Sequence, residues 1–305
     1  MNTFIWQNEL KRSPFFYVGD KYKLLPQLKE NFPQEIDRFI EPFCGGGSVF
    51  LNINANSYLL NDIDKNMIEL HKFLFNHSNK TDIFWAEIKR AIKNYNLSAT
   101  FIGKEVSASL KKEFPKTYFA QYNKKAYAQI KEDFNNNQNN CLLLYLLLIY
   151  GFNRMLRFNS DGKFNLPVGN VDFNRNVKKA LDKYFYYTNN RNISFYNLDF
   201  EYFVKSVKPQ QDDFAYFDPP YLIASSEYNK RWANGSETRL LNLLDNLNQN
   251  KIKFAVSNVI LHKNKRNEIF NEWAQKYNII KIKSNYISFN DNKEKNTIEV
   301  LVKNY

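Results

Sequence analysis

The chain has 305 residues and a formal net charge of +12, from 43 Lys and Arg against 31 Asp and Glu. With 44% hydrophobic and 17% aromatic residues it has ample apolar surface to bury, which excludes a disordered chain, and its length lies where one core stops growing and a second lobe is expected. The longest apolar run, Cys141 to Tyr150, is ten residues, about half of what spans a bilayer, so it reads as a buried core helix and not as a membrane segment.

The amino terminus carries no basic-then-apolar signal pattern, and the two cysteines, Cys44 and Cys141, have neither metal-ligand nor disulfide spacing. The expectation is a cytoplasmic protein with reduced thiols and no bound metal. The positive charge favours a polyanionic partner, because neutralising phosphates releases counterions; a Lys- and Asn-rich proteome would also make a protein basic. Its distribution is more telling. Between Ala86 and Lys131 there are ten Lys and Arg against three Glu, interleaved with Tyr95, Phe101, Phe114, Tyr118, Phe119, Tyr122 and Tyr127.

In chain order, strand-like segments followed by turn residues occur at Arg38 to Phe43, Tyr58 to Leu60, Ile193 to Tyr196, Phe214 to Phe217, Lys253 to Ser257, Ile279 to Lys283 and Val300 to Val302. They cluster at the two ends of the sequence. Between them, roughly Asp82 to Leu156 reads as helical, with Leu142, Tyr145, Leu146 and Ile149 at three- and four-residue spacing. The pattern predicts an α/β fold with a mainly parallel sheet and a helical insertion. The expected boundaries place one nucleotide-binding-type domain in 1–71 and 189–305 and a second lobe in 72–188.

Glu41-Pro42-Phe43-Cys44-Gly45-Gly46-Gly47-Ser48-Val49-Phe50 follows the first strand and is predicted to open a helix. Glycines let backbone N–H groups approach a ligand, and a helix N-terminus favours a carboxylate or phosphate. A structural glycine-rich turn reads the same way, so this motif alone names no ligand. The second strand runs into Leu60-Asn61-Asp62-Ile63-Asp64, where an acidic side chain can accept hydrogen bonds from ribose hydroxyls. The alternative is that Asp62 or Asp64 caps the helix beginning near Lys65.

Phe214-Ala215-Tyr216-Phe217-Asp218-Pro219-Pro220-Tyr221 sets a carboxylate, two prolines and an aromatic ring at a strand end. A chance Asp-Pro-Pro-Tyr in a chain of this length has a probability on the order of one in a thousand, which favours a chemical role over a simple Pro-Pro turn. The residue types suit methylation of an exocyclic adenine amine, whose lone pair is delocalised into the ring. The Asp218 carboxylate and the Pro219 carbonyl can each accept one N6–H hydrogen bond and favour a tetrahedral nitrogen, the prolines stiffen those acceptors, and the Tyr221 ring can stack on an extruded base.

With that loop in place, the sequence resembles the Dam-type, D12-class N6-adenine DNA methyltransferases across nearly its whole length. Pro14-Phe15-Phe16-Tyr17-Val18-Gly19-Asp20-Lys21 is similar to the family's amino-terminal motif that closes over the cofactor, with Asp20 where a second glycine is common. The resemblance implies S-adenosylmethionine as cofactor, bound by Tyr17, Lys21, Phe43, Gly45, Gly47, Asp62, Asp218, and Asp199 and Phe200 within Asn197-Leu198-Asp199-Phe200. It implies Asp218, Pro219, Pro220 and Tyr221 as the catalytic loop, and Phe254-Ala255-Val256-Ser257-Asn258 as its structural support. Tyr150 to Asn159 followed by Gly162 to Gly169 resembles the family's target-recognition β-hairpin. By position, Phe152 would wedge beside a flipped adenine, Asn153 would contact the DNA next to it, Met155 and Pro167 would touch bases, and Arg157 would read a guanine. The implied substrate is double-stranded DNA at adenine in GATC, or in a longer site containing GAT, with a cognate restriction endonuclease as functional partner.

Two other enzyme readings share parts of this pattern. An NAD-dependent dehydrogenase shares the glycines and the acidic strand end but explains neither Asp-Pro-Pro-Tyr nor the basic helical lobe. A methyltransferase of RNA or of glutamine amides shares the acceptor loop but not the hairpin.

Overall fold

The computed structural model describes residues 9–223, 232–283 and 297–305, and the chain forms two compact units. One consists of Lys23–Cys44, Asn52–Ile63 and the described residues of Asn192–Tyr305. It holds strands β1 (Arg38–Glu41), β2 (Ser57–Asn61), β3 (Asn192–Tyr196), β4 (Phe214–Phe217), β5 (Lys253–His262), β6 (Lys265–Arg266), β7 (Asn278–Ile282) and β8 (Thr297–Lys303). They form one sheet in the order β3-β2-β1-β4-β5-β8-β7, with β6 paired to the end of β5. The first five strands of that order are parallel, and β8 runs antiparallel between β5 and β7.

The sequence explains this layering. Every residue of β4 is buried, as are Phe39 and Ile40 of β1, the continuous apolar burial expected of parallel strands covered on both faces; Glu41 at the end of β1 is buried too. Ile40, Ala215, Phe217, Phe254 and Val256 join a core with Phe203 of the helix Phe200–Val207, Leu240 and Leu244 of Asn234–Gln249, and Phe270 of Glu268–Ala274. Phe32, Phe39, Tyr58 and Phe214 form a second aromatic cluster.

The second unit consists of Gly45–Leu51, Asp64–Arg191 and the described residues up to Tyr22. Its main helices are Lys65–Phe75, Thr81–Asn94, Ala108–Glu113, Tyr118–Asn136, Cys141–Tyr150 and Arg175–Thr188. Asn140 caps the Cys141–Tyr150 helix by accepting from the Leu143 N–H at 3.1 Å, and from Leu143 onward the helix is buried on all sides. That burial explains why it is apolar around its whole circumference.

The structure differs from expectation at four places. The glycine-rich segment opens no α-helix, only a single 3₁₀ turn at Phe50–Asn52 before β2 begins at Ser57. The argument from a helix N-terminus therefore does not apply at this loop. The helical stretch projected to Leu156 stops at Tyr150, because Asn153 and Arg154 take left-handed backbone angles, φ 53° and 50°. The expected β-hairpin is closed by two isolated antiparallel bridges, Gly151 with Val168 and Phe158 with Phe164, and not by a continuous ladder. Finally, the compact units do not divide at residue 71: the glycine loop, the segment ending at Tyr22 and Asp64 onward pack together in the helical unit.

Candidate functional site

In the sheet unit, the switch in strand order falls between β1 and β4, where a parallel sheet leaves a crevice beyond its carboxyl edge. Because β2, β1 and β4 are parallel, the chain that leaves them delivers Asp62, Phe43 and Asp218 to the same edge. Asn61, fully buried at the end of β2, fixes the loops around it. Its amide donates to the carbonyls of Pro42 and Leu198, both at 3.0 Å, and its carbonyl accepts from the Leu198 N–H at 2.9 Å. The Asn197 amide in turn donates to the Asp62 carbonyl at 2.8 Å. Asp62 itself is half-buried, and the helix cap that was its alternative role is performed by Asp64, which accepts from the Asn66 N–H at 2.9 Å.

Phe43, Phe200 and Trp232 form an aromatic cluster with ring centroids 5.3 to 5.7 Å apart and mutually inclined rings, an apolar surface on which a purine could pack. Asp199 lies beside it with its carboxylate already engaged: it caps the following helix at the Glu201 N–H, 3.0 Å, and accepts from Arg239 at 2.6 Å. After β4, Asp218 is half-buried and Pro219 is buried. The Tyr221 hydroxyl lies 3.0 Å from Asp218 Oδ1 and 3.0 Å from Glu299 Oε1 of β8. Ser257 and Asn258 of β5 support this edge, Ser257 through the Tyr216 hydroxyl at 2.7 Å and Asn258 through an amide donated to the buried Glu237 at 3.0 Å.

In the helical unit, Tyr17 and Lys21 are buried and the glycine loop packs against their segment. The Ser13 hydroxyl donates to the Gly46 carbonyl, and a side chain on Gly46 would meet Tyr17 Cβ at 3.0 Å. Gly47 is required on two counts: its φ is +75°, and an added Cβ would lie 2.3 Å from the Phe50 ring. Gly45 shares the left-handed backbone, φ +45°, but an added Cβ would meet nothing within 4 Å, which leaves that backbone open to a ligand. Gly19 supplies the left-handed turn of the amino-terminal motif, φ 84°, so Asp20 fits without backbone strain and accepts from the Tyr22 N–H at 3.2 Å.

His71 holds this loop from beneath, its Nε2 lying 2.9 Å from the Gly45 carbonyl. A carbonyl only accepts, so Nε2 carries the hydrogen. Burial pulls the imidazole down to about 4 from its ordinary 6.5, so folding keeps it neutral. A His whose folded value is depressed contributes stability that is complete above pH 6.5 and is lost as pH falls towards 4, here up to about 3 kcal/mol. Urea midpoints should therefore show the stability advantage of wild type over His71→Gln shrinking by about 2 kcal/mol between pH 7.5 and pH 5. Parallel curves across that range would contradict the neutral buried imidazole.

The segment expected to recognise the target, Tyr150 to Gly169, places its residues as follows. Phe152 is 52% exposed, Asn153, Arg157 and Pro167 are exposed, and Met155 is half-buried. The Phe152 N–H donates to the Pro167 carbonyl at 2.9 Å, and the two limbs cross where Gly169 would place a Cβ 2.6 Å from the Gly151 carbonyl oxygen. Arg157 is held by Asn165, with Nε on Oδ1 and one Nη on the backbone carbonyl, each at 2.8 Å. Neighbouring Arg154 turns inward, its guanidinium 4.2 Å from the centroid of the Phe16 ring.

Sequence reasoning passed over Asn61, His71, Asn165 and Glu299. Asn61 and Asn165 lay inside quoted motifs, but nothing in the pattern distinguished them from ordinary polar residues. Among the described residues, no helix is long and apolar enough to cross a membrane.

Five parallel strands continued by an antiparallel pair, with an acidic Pro-Pro turn at the switch point, define a mixed α/β sheet of the S-adenosylmethionine-dependent methyltransferase type. The family model of D12 class N6 adenine-specific DNA methyltransferases matches residues 17–287, and the chain belongs to that family. It is 34% identical to the type II methyltransferase M.FokI of Planomicrobium okeanokoites, covering 98% of this chain and 43% of that protein. It is 33% identical to the modification methylase StsI of Streptococcus sanguinis, covering 96% and 43%. It thus spans less than half the length of these two relatives. With a DNA adenine methylase of Salmonella typhi it shares 28% identity over 93% of this chain and 92% of the relative.

Proposed function

We propose that this chain transfers a methyl group from S-adenosylmethionine to N6 of an adenine extruded from duplex DNA. The observation that carries the reading is the Asp218-Pro219-Pro220-Tyr221 loop at the β1/β4 switch point, a carboxylate and a rigid carbonyl at one strand end. In the sheet unit the residues present suit the cofactor: half-buried Asp62 for ribose hydroxyls, and Phe43, Phe200 and Trp232 for a purine. Tyr17, Lys21, Gly45 and Gly47, all in the helical unit, are proposed cofactor contacts from the family resemblance. Asp199 contributes by capping the helix that carries Phe200, since its carboxylate is engaged there. S-adenosylmethionine, when bound, supplies an electrophilic methyl group.

Asp218 and the Pro219 carbonyl accept the two N6–H hydrogens and localise the nitrogen lone pair away from the ring, an interaction that strengthens as charge develops. Tyr221 stacks on the base, and Pro220 limits motion of the turn. On the DNA side, Phe152 wedges into the stack beside the extruded base, Asn153 contacts the DNA next to it, Met155 and Pro167 contact bases, and Arg157 reads a guanine. The proposed site is adenine in GAT, with GATC the first sequence to test. The likeness to the type II methyltransferase M.FokI and the modification methylase StsI favours a modification enzyme paired with a cognate restriction endonuclease.

The test is transfer of tritiated methyl from S-adenosylmethionine to duplex DNA, single-stranded RNA and a protein extract in competition, followed by modified-base sequencing of the DNA. Label entering chiefly RNA or protein would overturn the reading. Within the same framework, Asp62→Ala should weaken S-adenosylmethionine binding ten- to a hundredfold, the range for losing a hydrogen bond to a charged group, about 1.5–3 kcal/mol. An unchanged dissociation constant by calorimetry would remove Asp62 from the pocket.

A further inference from the structure

Resting on the reading that this chain methylates adenine N6, we propose that Glu299 is a positioning residue of the methyl-transfer site. It holds the Tyr221 hydroxyl and thereby sets how much of the Asp218 carboxylate faces the substrate. The phenol oxygen lies 3.0 Å from an oxygen of each carboxylate, yet it has one proton to donate. The two acids therefore compete for it. While the proton points to Glu299, Asp218 Oδ1 keeps its acceptor capacity for an N6–H; when it points to Asp218, that oxygen is partly saturated and a weaker acceptor.

Glu299 is a fixed point against which this balance is set. It is 1% exposed, and its strand pairs on both sides, at Val259 of β5 and Ile282 of β7. The residues that follow, Val300, Leu301 and Val302, are the apolar residues that a strand enclosed on both sides calls for. A carboxylate at such a position costs stability unless hydrogen bonds compensate it, so its presence calls for a partner of consequence. Burial, and next the charge of Asp218, raise the Tyr216 phenol well above its ordinary range, with Glu41 and Glu299 adding to the effect. Tyr216 thus stays protonated and shares a hydrogen bond with the Ser257 hydroxyl, while the Tyr221 hydroxyl lies between Asp218 and Glu299.

The experiment is a double-mutant cycle of Glu299→Gln and Tyr221→Phe in the full chain, read as single-turnover methyl transfer to duplex DNA, with KM for both substrates, cofactor affinity by calorimetry and the thermal midpoint. Glu299→Gln should lower the transfer rate about tenfold with KM and cofactor affinity within threefold, because the amide oxygen is a weaker acceptor for the phenol. In the Tyr221→Phe background, where the link is already cut, the same substitution should cost less than twofold. Equal losses in both backgrounds, or a loss that follows the thermal midpoint, would show a purely structural role and overturn the proposal. Should Glu299→Gln fail to fold, Tyr221→Phe decides alone, and a rate within twofold of wild type overturns it. A wild-type protein that transfers no methyl to DNA overturns the functional reading and this inference together; transfer by wild type with an indifferent Glu299 overturns only the inference.

Discussion

Asp218→Ala should lower methyl transfer to DNA by at least about a hundredfold while leaving the S-adenosylmethionine dissociation constant within a few-fold of wild type. The magnitude follows from the role: removing one preorganised hydrogen-bonding group from a site of developing charge costs about 10²–10³ in rate. Because the interaction strengthens mainly in the transition state, the loss falls on kcat and not on binding. The geometry makes the substitution informative, since the Tyr221 hydroxyl keeps Glu299 as an acceptor at 3.0 Å when Asp218 is truncated. The ring is then not released along with the carboxylate, and the lost rate reports on Asp218 itself. Asp218→Asn, which retains an acceptor oxygen without the charge, should fall between the two. Activity above about a tenth of wild type in Asp218→Ala would remove Asp218 from the N6-acceptor role.

The parts of the molecule that were legible in the sequence are those whose physics is local. All seven expected strands are present, because strands buried on both faces announce themselves as short apolar runs ended by Pro, Asn or Asp, as Phe214 to Phe217 does before Asp218. The Asp218-Pro219-Pro220-Tyr221 turn at the end of β4 was legible for the same reason: its four residues are consecutive in the sequence. What escaped was decided by long-range pairing. Glu299 lies 78 residues from Tyr221 and looks in sequence like any charged residue on an exposed strand edge. Asn61 and Leu198 are 137 residues apart, and only β2 lying beside β3 brings them together. The missing helix after the glycine loop has a different origin. Three glycines in succession are permissive of many conformations, so the sequence did not determine the path that His71 and Ser13 impose on that backbone.

Arg157→Ala should lower discrimination for one guanine of the methylated sequence ten- to a hundredfold, with a smaller effect on overall DNA affinity. Arg157 is exposed on the recognition loop, and Asn165 holds its Nε and one Nη from behind at 2.8 Å. Such an anchored guanidinium presents its remaining edge, with donors on both Nη atoms, in one orientation, which matches the paired O6 and N7 acceptors of guanine in the major groove. A good bidentate contact discriminates by about 1–3 kcal/mol, the origin of the expected range. Preorganisation adds a second, independent expectation: Asn165→Ala should reduce the same discrimination by a smaller factor, because the guanidinium keeps its donors and loses only its support. The measurement is kcat/KM on duplexes in which each base pair of the site is replaced in turn, with binding repeated over a range of salt. A phosphate contact would behave differently, weakening all sequences about equally and lowering the salt slope by about one. If Arg157→Ala shows that signature, or if sequencing finds N6-methyladenine mainly outside GAT, the guanine-reading role is wrong and Arg157 belongs to the backbone contacts.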